Sequence, residues 1–66
     1  MNFIKIYDDE LINLSLILNI FKDVRPDWRD PFVIRFENGE NYYEIYFAKE
    51  TERDEYFDNL IKKLTI

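Results

Sequence analysis

Sixty-six residues with a net charge of −5, no Cys and no His narrow the chemistry at once. Disulfide frameworks, thiolate zinc sites, Cys–His pairs and histidine general bases are excluded, and the acidic balance argues against direct binding to nucleic acid or to an anionic membrane. A chain this short buries only ~60% of its unfolded surface, so a single domain over residues 1–66 must rely on a dense apolar inventory, which six Phe, five Tyr, one Trp and nine Ile supply.

In chain order, Asn2 to Tyr7 alternates as a strand, and Asp8-Asp9-Glu10 interrupts it as a polar turn. That acidic triplet could in principle hold a divalent cation. It has neither the spacing nor the glycine of a calcium loop, and a solvated turn is the simpler assignment. The segment from Leu11 to Val24 carries two patterns. Ile12, Leu14, Leu16, Leu18 and Ile20 keep a period of two, whereas a polar stripe at Ser15, Asn19 and Lys22, with Asp8 or Asp9 as N-cap, fits a helix. The Asn, Ser and Ile content disfavours the helix. Two short strands, Leu11–Leu14 and Leu18–Val24, are expected, joined by a tight turn near Ser15–Ile17; the helical alternative would give a β-α-β-β-α order.

Arg25 to Pro31 is a loop with two prolines and alternating charge. Pro31 to Lys49 is the clearest element. Two aromatic and β-branched runs flank Asn38-Gly39, and this dipeptide predicts a two-residue type I′ hairpin turn. That turn pairs Arg35 with Tyr42 and Ile34 with Tyr43. Alternation then puts Phe32, Ile34, Phe36, Tyr43, Ile45 and Phe47 on a core face, and Val33, Arg35, Glu37, Glu40, Tyr42, Glu44 and Tyr46 on an outer face. Glu50 to Leu64 is a helix with Thr51 as its expected N-cap and Asp54 completing an acidic capping box. Its first turn is acidic, its last turn carries Lys62 and Lys63, and an Asp58–Lys62 pair supports it. Phe57, Leu60, Ile61 and Leu64 form the stripe expected to cover the hairpin, with Tyr56 at its edge.

The predicted fold is α+β, a small antiparallel meander of about five short strands with a C-terminal helix packed on one face. The segment Ile12-Asn13-Leu14-Ser15-Leu16-Ile17, the Asn38-Gly39 hairpin and the Thr51–Leu64 helix, in this order, resemble short bacterial FlbD-like modules associated with flagella. They also resemble a trimmed pleckstrin-homology-like sheet with its closing helix. The resemblance implies a fold; no functional residue is carried over from it.

Catalytic signals are sparse. Ser15 is the lone serine and lies in an apolar run, and the single glycine is committed to the hairpin, which leaves no phosphate-cradling loop. A non-enzymatic protein-binding role is therefore expected, without cofactor or metal. Its candidate binding residues are Trp28, Arg35, Tyr42, Glu44 and Tyr46, because Trp, Tyr and Arg are enriched at binding hot spots. Arg35 opposite Tyr42 would permit a cation–π contact. The structural alternative is that these side chains merely cover one another and Trp28 anchors its loop. Glu37, Glu40 and Glu44, with Asp54, Glu55 and Asp58, suggest a second role as a nucleic-acid mimic of the kind seen in anti-CRISPR inhibitors, although nine basic residues offset them. A third is a structural homodimer paired through an edge strand. The N-terminus lacks the pattern of a secretory signal, and Leu11 to Phe21 is too short to span a bilayer, so a cytoplasmic protein is expected. The residue usage, rich in Ile, Asn, Lys, Phe and Tyr, suggests a low-GC bacterium or one of its phages or mobile elements.

Overall fold

The computed structural model describes residues 3–7 and 10–64. Five antiparallel strands and one α-helix follow in the order β1 (Phe3–Ile6), β2 (Glu10–Asn13), a 3-10 turn (Leu14–Leu16), β3 (Asn19–Val24), β4 (Phe32–Glu37), β5 (Tyr42–Phe47) and α1 (Glu50–Leu64). This is the expected α+β arrangement, with the strands divided between two sheets, β1-β2 and β3-β4-β5. The Asp8 and Asp9 part of the acidic turn, and its candidate cation site, lie outside the described residues.

The segment from Leu11 to Val24 forms strands, so the β-α-β-β-α alternative is not adopted. The turn falls where a tight turn was expected, and Asn13 shapes it. The Asn13 side chain accepts hydrogen bonds from the Ser15 amide at 3.1 Å and the Ser15 hydroxyl at 2.6 Å. Such local bonding is the reason Asn and Ser leave helices and favour turns. This break also divides the predicted meander into two sheets, because it turns the chain between β2 and β3.

The β4–β5 hairpin corrects the predicted register. Only Gly39 has positive φ in this connection (+98°), and Asn38 does not, so the Asn38-Gly39 type I′ turn is not formed. The turn centres one residue later. The Asn38 amide donates to the Asn41 carbonyl at 3.1 Å, and the Asn41 amide donates back to the Asn38 side-chain oxygen at 3.2 Å. Moving the turn by one residue slips the pairing by two. Arg35 therefore stands opposite Glu44 and Phe36 opposite Tyr43. An even slip preserves the faces, and for that reason the predicted division into core and outer residues survives.

The core face meets both remaining layers. Ile34 and Phe36 are fully buried, and they pack in one cluster with Ile4, Ile6, Ile12, Leu14 and Leu60. Each such side chain contributes about 1.5–3 kcal/mol by leaving water. The helix starts one residue before the expected cap: Arg53 donates its amide to the Lys49 carbonyl at 3.2 Å, and Thr51 lies inside the helix. Its buried side is also rotated from the predicted stripe. Arg53, Tyr56, Phe57 and Leu60 turn toward the sheet, whereas Ile61 and Leu64 remain exposed. Arg53 is the reason. Its guanidinium sits over the Phe32 ring at 5.4 Å, donates to the Asp23 carbonyl at 3.0 Å and pairs with Asp54 at 3.0 Å. The expected Asp58–Lys62 pair does not form, and Asp54 pairs instead with Lys22 of β3 at 3.5 Å.

Candidate functional site

The outer face of the three-stranded sheet is built from alternate residues. The β3–β4 and β4–β5 registers place Asn19, Phe21 and Asp23 beside Val33, Arg35 and Glu37, and these beside Tyr42, Glu44 and Tyr46. The face is not bare, because Val33, between Asp23 and Tyr46 at one end of it, is fully buried. Its cover is the 25–31 loop. The Arg25 amide donates to the Pro31 carbonyl at 2.7 Å, which carries the β3–β4 ladder one residue beyond the strand, and the Trp28 amide donates to the Arg25 carbonyl at 3.0 Å. The loop thus folds back over β5. The Trp28 ring lies 5.2 Å from the Tyr46 ring, tilted by 45°, and the Arg25 guanidinium lies 5.3 Å from the Trp28 ring.

Glu44 is the hub. Its side chain is 6% exposed. One carboxylate oxygen accepts from Arg25 at 2.5 Å and from Arg35 at 3.3 Å, and the other accepts from the Tyr46 hydroxyl at 2.8 Å. The Glu44 carbonyl accepts from the Tyr7 hydroxyl at 3.2 Å. The two arginines are paired again at the rim, Arg25 with Asp23 at 3.3 Å and Arg35 with Glu37 at 2.9 Å. A buried carboxylate is tolerated only when it is compensated in this way. Arg35 also sits over the Tyr42 ring, its guanidinium carbon 3.9 Å from the ring centroid. The expected cation–π contact thus exists, reached diagonally because Arg35 faces Glu44.

The titration behaviour follows from the packing. Burial and the hydrogen bond to Glu44 push the Tyr46 phenol up to about 12. Burial also raises Tyr7; a backbone hydrogen bond opposes this, and the nearby charges of Glu44, Asp30 and Glu10 add to it. The hydrogen bond to Glu44 raises Arg25 further. A phenol held this high is a hydrogen-bond donor at neutral pH and is poorly suited as a base or nucleophile. The arrangement can present rigid rings and fixed polar groups.

All five sequence-predicted site residues, Trp28, Arg35, Tyr42, Glu44 and Tyr46, therefore share one face. They divide in role. Trp28 and Tyr42 are 48% and 56% exposed, whereas Glu44 is interior and holds the others. Of the residues proposed for an acidic mimic, Glu37, Glu44 and Asp54 are spent on internal arginines. Sequence reasoning missed Arg25, Tyr7 and the caging of Val33. Arg25 was within reach, because the alternation Asn19, Phe21, Asp23 carried two residues further puts it on the face of Glu44.

Elsewhere, shallow depressions lie along the helix. One, of about 320 Å³, is lined by Phe47, Glu52, Glu55, Tyr56 and Asn59, and another, of about 210 Å³, by Ile4, Tyr56, Asn59, Leu60 and Lys63. Among the described residues no cluster of three or more acidic side chains has the geometry to hold a metal, and no helix is long and apolar enough to cross a membrane. Comparison with protein-family models, with characterised proteins and with solved structures finds no match to this chain.

Proposed function

We propose that the protein is a non-enzymatic binding module that engages a protein partner through the outer face of β4 and β5 and the loop carrying Trp28. One observation carries this assignment. Trp28 and Tyr42 are large, half-exposed rings, and each is held in place by an arginine fixed to the same buried carboxylate. Rings ordered before binding lose little entropy when a partner arrives, which is the character of a hot spot. Residue usage and small size support a regulator or inhibitor acting in the cytoplasm of a low-GC bacterium, or encoded by its phages or mobile elements. The internal pairing of Glu37, Glu44 and Asp54 weakens nucleic-acid mimicry, because those charges are already neutralised beside the sheet.

The test is affinity capture from a low-GC host with the wild type and with Trp28→Ala/Tyr42→Ala. Both substitutions truncate exposed rings, so folding should persist by circular dichroism. The expected result is a protein retained by the wild type and lost by the double variant. A partner held equally by both proteins would place the binding surface elsewhere.

A further inference from the structure

The sheet has two edge strands, β3 and β5, and they are not equivalent. The ladder pattern shows which backbone groups each leaves outward. The Arg25–Pro31 bond continues the β3–β4 register, so hydrogen-bonded pairs alternate back through Asp23–Val33, Phe21–Arg35 and Asn19–Glu37. The backbone groups of Ile20 and Lys22 therefore point away from the sheet. By the same count from Asn38–Asn41, the outward residues of β5 are Tyr42, Glu44 and Tyr46. On β5 the Tyr7 hydroxyl already occupies the Glu44 carbonyl. Tyr7 takes a positive φ of 60° at this point, a conformation uncommon for a tyrosine, and its side chain blocks the middle of that edge. On β3 both ends of the edge are taken, where Val24 donates to Asp23 Oδ1 at 2.8 Å and the preceding Leu18 amide donates to the Glu37 carbonyl at 2.8 Å, which leaves the backbone groups of Ile20 and Lys22 between them. The open edge is β3, flanked by exposed Leu18, Phe21 and Val24 at 73%, 38% and 50%.

We infer that this edge pairs with β3 of a second copy of the chain, antiparallel about a two-fold axis through Phe21. A two-fold strand pair must match outward residues with outward residues, and this leaves few registers. An axis at Phe21 matches Ile20 with Lys22 of the second copy, Asn19 with Asp23 and Leu18 with Val24, and it stacks the two Phe21 rings across the axis. Asn19 meets Asp23, Leu18 meets Val24, and Ile20 packs along the aliphatic stem of Lys22. An axis at Lys22 or Asp23 sets like charges directly opposite, which destabilises a cross-strand pair. An axis at Ile20 leaves Val24 unpaired. Lys22 keeps its bond to Asp54 in the chosen register, because its side chain points to the helix face. The result is a continuous six-stranded sheet in which a small domain recovers the apolar burial it lacks alone. A pairing confined to one short edge strand falls in the class of small interfaces, below about 1,200 Å², that associate reversibly.

Analytical ultracentrifugation over a concentration series reaching about 1 mM, where weak complexes populate, should show reversible growth from the 8.2 kDa monomer toward twice that mass. Phe21→Glu and Phe21→Lys each place like charges on the axis and should each remain monomeric. An equimolar mixture of the two should dimerise again, because only at the axis does position 21 meet itself. Hydrogen exchange of the wild type gives a check independent of the variants' folding: the Ile20 and Lys22 amides should gain protection as concentration rises. A wild type that stays at 8.2 kDa throughout, a mixture that fails to associate while each variant is folded, or amide protection independent of concentration overturns the pairing.

Discussion

Glu44 accepts from two arginines and a tyrosine through its carboxylate and from a second tyrosine through its carbonyl, so its charge organises the outer face. Glu44→Gln keeps the shape and removes the charge. The bonds from Arg25 and Arg35 then lose their charge assistance, at an expected cost of about 1–3 kcal/mol. For a domain of this size that lowers the melting temperature by about 4–24 °C, measurable by thermal circular dichroism. Tyr46 gives a second readout at this scale. Its phenol titrates at 10.0 when unfolded and at about 12 in place, so the folded state holds the proton longer. Stability from this group is whole below pH 10 and is lost as pH rises toward 12. Denaturation midpoints should fall across that interval, and Tyr46→Phe should flatten the fall. An unchanged slope in Tyr46→Phe would mean that another group carries the alkaline transition.

Single elements show how local chemistry and packing share control. The hairpin needs positive φ at Gly39, and a Cβ there would meet nothing within 4 Å. Gly39→Ala therefore costs only backbone strain, about 1–2 kcal/mol by chemical denaturation. Arg53 holds the helix to β3 and β4 by both its stem and its charge. Arg53→Ala should destabilise by about 2–4 kcal/mol, and Arg53→Met by less, since the methionine keeps apolar contact with Phe32. Asp54, held below the ordinary carboxylate value chiefly by its hydrogen bond from Arg53, adds stability above pH 3.8 that is lost as pH falls through its folded value. Most of these elements were legible in the chain. The hairpin, the helix span and the two faces of β4 and β5 follow from alternation and composition. The register was not, because Asn38-Gly39 satisfies the sequence preference for one turn while the backbone adopts the next. Arg53 was not legible either, since nothing in a heptad-like stripe marks an arginine that fills a core position through long-range bonds to Asp23 and Phe32.

At the scale of the whole molecule, the two faces of the sheet have separate duties. One is consumed by the helix and by the β1-β2 layer, which share a core with Ile34 and Phe36. The other is stitched by Glu44 and roofed by the Trp28 loop, and it leaves aromatic rings outward. The candidate residues were legible as a group because alternation places four of them on one face; Trp28 joins them through a loop whose path no periodicity records. Photo-crosslinking in cells tests this division most directly, with a photoreactive amino acid placed at Tyr42 and, separately, at Glu55 on the exposed side of the helix. The account predicts a protein adduct from position 42 and none from position 55. An adduct formed only from position 55 would contradict it.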